Sequence, residues 1–416
     1  MNTTKFIGFA LLFLSMPGAR GEPSPTAINP ALLYYQAFLM AQKVSQADKD
    51  YLGTIQWQGQ NNAMQGQKLP ERFGQIVAGY DGQFKLVREA AQQKVPCDWG
   101  ADLSQGPETP LGHLAPSKAI AQTAQLRTMW DLQQGNQTGA RDDLLAAFVL
   151  ARNVSRDGIL ISALVQYAGQ AIVFSTVAGN FGQFSGETLK QLVDGFDAAP
   201  AQGTVAAGIM TEKLVFLDWF ANKIREWQQE NPGNDTKVME TIRGYEDSER
   251  DTNLWQRILI ESGGTSDGVL KLIHEVDPLY PRLAKIMTLS LPEYKDQIQK
   301  FDAEIQKSKN PLVPAAFPKS FQPAHVKEFR SQVQLAMVRA AVEYKLHGQS
   351  GLQTVMDPLG NGPFTFQRFV FEGTDRGFEL KSAYAGNGAP FVMIFVEKQG
   401  PAIQVTGPHA GEAIAQ

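Results

Sequence analysis

Between residues 29 and 348 apolar side chains recur at spacings of three and four. Beyond residue 364 the spacing changes and they alternate. The first period lines one face of a helix and the second one face of a strand. This switch predicts a mainly α chain: a helical-hairpin, solenoid-like array followed by a small α+β module, a long helix plus a three-stranded antiparallel meander.

Punctuation divides the pattern further. Asn29-Pro30 reads as an N-cap followed by proline at the first helical position, and Leu32, Leu33, Phe38, Leu39 and Met40 supply the helix. Ser45 to Asp48 starts a second helix, and Gly and Gln fill a loop over 53–68. Helical spacing resumes over 70–93, and prolines and glycines mark 96–116 as a wrapping loop. The segment 117–199 is the clearest helical-hairpin region: its first two helices meet at Gly135-Asn136, where Ala140 lets them approach, and further helices are expected at 157–179 and 186–198; the hairpin looks tetratricopeptide-like, but no 34-residue period recurs. More helices follow to residue 277, with Pro278 and Pro281 interrupting the pattern. Ser290-Leu-Pro-Glu293 is a capping box, and Pro311, Pro314 and Pro318 predict a linker over 311–322. A helix from Pro323 ends at His347-Gly348. Strands are expected at Phe364–Phe371, Phe378–Ala383 and Phe391–Val396, with Gly373-Thr-Asp375 and Gly386-Asn-Gly388 as turns.

The N-terminus reads as an address. Lys5 precedes an apolar run from Phe6 to Met16, and Ala19-Arg20-Gly21 offers small residues for cleavage after Gly21. The run is short of the ~20 residues a membrane span needs. Of the later stretches, Gly158 to Phe184 comes nearest to a span but carries Gln166, Gln170 and Asn180. An exported protein, periplasmic or extracellular, with no transmembrane anchor in the mature chain is the expectation. The expected organisation is a signal peptide over 1–21, a helical array over 22–310, a linker over 311–322, an α+β module over 323–406 and a flexible tail over 407–416.

Composition narrows the chemistry. Lys+Arg 38 against Asp+Glu 42 gives a net charge of −4, and −6 once Lys5 and Arg20 are lost with the signal; neither suggests a nucleic-acid partner. Cys97 is the one cysteine, so no internal disulfide and no zinc site needing two sulfurs can form. In its Pro/Gly-rich surroundings it is expected to be buried.

The tail resembles the globular part of type II secretion pseudopilins. The residues that carry the likeness are Ala340-Ala-Val-Glu-Tyr-Lys-Leu-His-Gly348, then Asp357-Pro-Leu-Gly-Asn-Gly-Pro-Phe364, then Gly377 to Gly388. The resemblance implies a long helix, a loop and a small antiparallel sheet. Asp357 and Pro358 set a turn in which Gly360 and Asn361 tolerate positive φ, and Phe364 and Phe366 alternate into a core. The family's filament-forming first segment is not matched. Its calcium loop is acidic where Ala383 to Phe391 has no carboxylate, so no calcium site is carried over. Elsewhere, Cys97 to Leu114 and Leu160 to Ala168 resemble uncharacterised exported bacterial proteins that join a helical body to such a tail.

Searches for catalytic patterns return little. His113, His274, His325, His347 and His409 are scattered, without a zinc-peptidase motif. His274, Glu275 and Asp277 form the best metal-like cluster, beside an apolar stripe that marks a solvated boundary. Glu240, Glu246, Asp247, Glu249 and Asp251 interleave with Arg243, Arg250 and Arg257 as a salt-bridged surface. Ser262-Gly-Gly-Thr-Ser266 reads as a loop. Phe216, Trp219, Phe220 and Trp227 fall at helical spacing, as packing residues. No catalytic, cofactor-binding or metal residue is assigned, and no cofactor is expected. The expectation is an exported non-enzymatic helical protein that binds a protein or peptide partner in the cell envelope. The alternatives are an accessory of a secretion or pilus-like assembly, docking through a free face of the tail helix, and a hydrolase of an envelope or extracellular polymer.

Overall fold

A computed structural model describes residues 28–40, 45–53, 68–245, 252–317, 321–371, 373–386 and 389–398. The expected signal segment and cleavage point, the 407–416 tail, His409, Pro318, Asn387-Gly388 and the acidic run Glu246 to Asp251 lie outside them.

Among the described residues the helices run α1 Pro30–Met40, α2 46–53, α3 Glu71–Ala78, α4 Asp81–Ala91, α5 Leu114–Gln133, α6 Gln137–Val154, α7 Leu160–Gly179, α8 Gly186–Ala198 and α9 Val205–Glu212. They continue with α10 Trp219–Glu230, α11 Asp235–Tyr245, α12 Thr252–Glu261, α13 Ser266–Val276, α14 Leu279–Ile286, α15 Leu291–Gln306, α16 Leu312–Ala316, α17 Phe321–His347 and α18 Gln349–Leu352. β1 Thr365–Phe371, β2 Thr374–Gly386 and β3 Ala389–Val396 close the chain as an antiparallel meander in the order β1-β2-β3. The mainly α fold with a small α+β end is therefore the one the periodicity implies.

Local chemistry sets the element ends. Asn29 Oδ1 accepts the Ala31 N–H at 3.1 Å, capping α1. Gly135 takes φ 75° between α5 and α6, and Asn136 caps α6 by accepting the Gly139 N–H at 3.0 Å. The capping box at Ser290 and Glu293 forms as its spacing implies. The proline-rich stretch expected to be an open linker instead holds α16, and Val313 and Phe317 are buried. Its prolines fit because Pro311 and Pro314 fall at or near the start of a five-residue helix, where few N–H groups need acceptors.

Packing builds two cores. One joins α1, α3–α6, α8 and the sheet; the other joins α9–α16; α7 and α17 contribute to both. Side chains on both sides of residues 311–322 share these cores. The aromatic face of the sheet meets the end of α7: Phe378 and Phe395 pair across β2 and β3 with ring centroids 5.1 Å apart, and Phe181 stands edge-on to both. Gly182 N–H donates to the Val396 carbonyl at 2.8 Å, and a Cβ at Gly182 would lie 2.0 Å from the Glu397 carbonyl oxygen. Helix α17 exposes Pro323, Lys327 and Gln332 before its last turn, and otherwise lies between the cores.

Helix α7 is long and apolar enough to cross a membrane, and it runs through the middle of the molecule. Its Gln166 and Gln170 are buried and hydrogen-bonded. Gln166 Oε1 accepts from Ser155 Oγ at 2.6 Å and from the Gly203 N–H at 3.0 Å, and Gln170 Oε1 accepts from Ser331 Oγ at 2.5 Å. These bonds tie α7 to α17 and to the 199–205 loop.

In the tail, the Asp357 carboxylate ties the loop to the sheet. It accepts from Leu359 N–H at 3.0 Å, Ser382 Oγ at 2.8 Å and Ala383 N–H at 2.7 Å. Gly360 is needed for a different reason from the one its sequence suggests. Its φ is not positive, but a Cβ there would lie 2.8 Å from Asp357 Oδ2 and 3.1 Å from Ala383 Cβ.

Candidate functional site

A groove of about 870 Å³ has as its floor one stripe of α6: Leu145, Ala146 and Val149, continuing to Asn153. These positions follow helical spacing and so share a face. Two walls run along that stripe. On one side the end of α4 and the strip 92–96 pass from Arg88, whose Nε is 2.9 Å from Asp143 Oδ1, towards Trp99, whose Nε1 donates to the Asn153 carbonyl at 2.7 Å. On the other side α8 and residues 199–201 pass from Gln191, bonded to Arg141, to Gln202, which accepts from Arg152 at 2.8 Å. Gly195 permits the closeness of this wall, since a Cβ there would lie 2.4 Å from Leu145 Cδ2.

The wall that begins on α4 is tied at both ends. Asp143 is fully buried between two guanidiniums, with Arg127 Nε at 2.6 Å from its other oxygen. Burial pushes the Asp143 carboxyl up, and Arg127 and Arg88 pull it down. Arg127 Nη1 also reaches Asp81 at 2.6 Å and donates to the Val77 carbonyl at 2.9 Å, so one buried cation binds α3, α4, α5 and α6 together. At the far end Asn29 receives the Asp98 N–H at 3.0 Å and donates to its carbonyl at 2.7 Å, pinning the Cys97–Trp99 segment to α1.

The groove is lined by Arg88, Lys94, Arg141 and Arg156 and by one acid, Asp142. Asp142 is spent on Arg141 at 2.8 Å and Arg88 faces Asp143. Lys94 and Arg156 are exposed, and among the described residues no carboxylate lies within ion-pair range of either. The backbone N–H groups of Lys94 and Val95 donate to no protein acceptor among the described residues.

Other titratable clusters do not assemble a reactive centre. His113 Nε2 lies 3.2 Å from Asp157 Oδ2, and Ser162 Oγ donates to that same oxygen at 2.7 Å. The carboxylate thus sits between serine and histidine, whereas a nucleophilic triad needs the imidazole between them. Trp99 also stacks on His113 at 4.4 Å, and the side chains of the His–Asp pair are 2% and 1% exposed, closed to a substrate. His325 Nδ1 is 2.9 Å from Glu328 Oε2, again buried, and Glu328 accepts the Val205 N–H at 3.3 Å as a cap for α9. Cys97 is buried as expected, and burial pushes its thiol up to about 12.

The other residues singled out in the sequence do not converge on one site. His274 and Glu275 are exposed on α13, Asp277 pairs with Lys213 at 2.8 Å, and no group of three His, Cys, Asp or Glu among the described residues could hold a metal. Glu240 is exposed on α11. In the serine-glycine turn, Thr265 caps α13 by accepting the Gly268 N–H at 3.1 Å, and Ser266 bonds Asp235. Trp219 packs over Gly106, and Phe220 meets Trp227 edge-on at 6.3 Å. Phe216 differs: a π-turn over Lys213–Asp218 shifts the helical phase and leaves it 46% exposed.

The groove itself escapes sequence reasoning, because its three strips are far apart along the chain. The available signal is the run of alanines on α6, which allows close neighbours, bounded by Arg141 and Arg156. No protein-family model, no curated protein and no solved structure matches this chain.

Proposed function

We propose that the chain is an exported, non-enzymatic helical protein of the cell envelope that holds a segment of a partner polypeptide in the groove between α4, α6 and α8. The observation that carries this reading is the groove's construction: an apolar floor, one wall fixed by the ion pairs of Asp143, the other by hydrogen bonds from Arg141 and Arg152, and main-chain N–H groups along one rim that no protein acceptor takes among the described residues. Pre-formed concave surfaces with a few placed polar groups are the usual form of a binding site. Among the described residues no nucleophile with its base, and no pair of carboxylates, lines the groove.

The test is direct. Val149 is half-buried on the floor, and Val149→Trp fills the groove at modest cost to the core. Random heptapeptides displayed on phage should be enriched by the parent chain and not by Val149→Trp. Equal enrichment by both overturns the reading. Export is tested separately by fractionation and N-terminal sequencing, with Glu22 as the expected first residue. The accessory reading has less support, since the helix face through which it would dock is occupied by the protein's own cores. The hydrolase reading has less support: Glu240 is exposed on α11, Asp277 is spent on Lys213, and Glu275, beside Glu304 in a smaller concavity, accepts from Asn310 Nδ2.

A further inference from the structure

Resting on that reading, we infer that the groove's occupant is an extended peptide segment carrying acidic side chains. Charge is the first reason. The chain as a whole is net negative, yet Lys94 and Arg156 leave uncompensated positive charge along the groove. Exposed charges of one sign around a concave site attract and orient a partner of the opposite sign.

Shape is the second reason. The straight part of the floor, from Asp142 to Asn153, is about 17 Å long at ~1.5 Å per residue. An extended chain advances ~3.3 Å per residue, so about five residues span it. The N–H groups of Lys94 and Val95 pair with no acceptor among the described residues, so either can donate to a carbonyl of such a chain. A peptide suits this surface better than an acidic glycan, because among the described residues no aromatic ring lines the groove for a sugar to stack on.

The experiment uses the full chain, the double variant Lys94→Glu/Arg156→Glu and Val149→Trp, each first checked for parental circular dichroism. Displayed random heptapeptides are selected on the parent at low salt, and the enriched sequences are synthesised with a fluorescent label for anisotropy titration. The expected pool is rich in Asp and Glu. Its affinity should fall about tenfold in the charge-reversed variant and about tenfold between 50 and 500 mM salt, since rim charges act through a screened field. Binding should be lost in Val149→Trp. A neutral or basic pool that Val149→Trp abolishes overturns the acidic specificity and leaves groove binding standing. An acidic pool indifferent to the charge reversal overturns it as well. Failure to enrich any pool, while pentagalacturonate binds the parent chain, overturns both this inference and the reading beneath it.

Discussion

Asp143→Asn tests whether the groove wall is clamped by a buried charge network. The carboxylate of Asp143 is fully buried and faces Arg127 at 2.6 Å and Arg88 at 2.9 Å. Breaking a buried pair by removing one partner costs about 3–5 kcal/mol, because the remaining charge is left without compensation. Two features place this substitution at the low end. Arg88 has about a third of its side chain exposed and can turn to water, and Arg127 keeps Asp81 and the Val77 carbonyl. The expected loss is therefore about 3 kcal/mol, a large part of the roughly 5–15 kcal/mol that holds a native protein together. Urea titration followed by both circular dichroism and tryptophan fluorescence measures it. Adding Arg127→Met to Asp143→Asn should recover part of the loss, since it removes the stranded buried cation. A cost below about 1 kcal/mol for Asp143→Asn, or no recovery in the double variant, refutes the clamp.

Three further outcomes follow from packing. Phe148 is fully buried and touches Phe174 and Phe196 at centroid distances of 5.6 and 4.5 Å, so Phe148→Ala should cost about 3–5 kcal/mol in the same urea titration. Gly182→Ala drives a methyl group into the Glu397 carbonyl, so backbone amides at 392–396 should lose hydrogen-exchange protection while those of α5 keep theirs. With its thiol at about 12, Cys97 carries almost no thiolate at pH 8, so Ellman's reagent should label it only after unfolding. Prompt labelling of the native protein would contradict its burial.

Most elements were legible because their signals are local. Asn29 and Ser290 cap the helices their positions suggest, α5 turns into α6 at Gly135, and the meander turns at Gly373, which takes φ 72°. What escaped is non-local. Nothing near Phe216 announces that a π-turn will rotate it outwards, and nothing near Pro311 announces that Val313 and Phe317 will be taken into a core shared with α13 to α15. Gly360 shows the same limit from another side: its neighbours suggest backbone freedom, while its actual constraint is an aspartate and an alanine brought against it by the fold.

The buried network and the groove are two consequences of one arrangement. Small residues on α6 let α4, α5 and α8 come close, and Ala140 and Ala147 are almost wholly buried there. Close approach excludes water, so the one carboxylate on that side of α6, Asp143, requires cations delivered by neighbouring helices: Arg127 from α5 and Arg88 from α4. Meeting that demand fixes where α4 ends, and the strip 92–96 must then run beside α6 until Trp99 and Asn29 catch it. The neighbouring face of α6, with Leu145, Ala146 and Val149, is left as a shallow floor where the helix is uncovered between its two walls. A stable wall and an open floor thus arise from the same stretch of sequence. Substitutions that loosen Asp143 should therefore weaken ligand binding at the groove even though Asp143 does not line it.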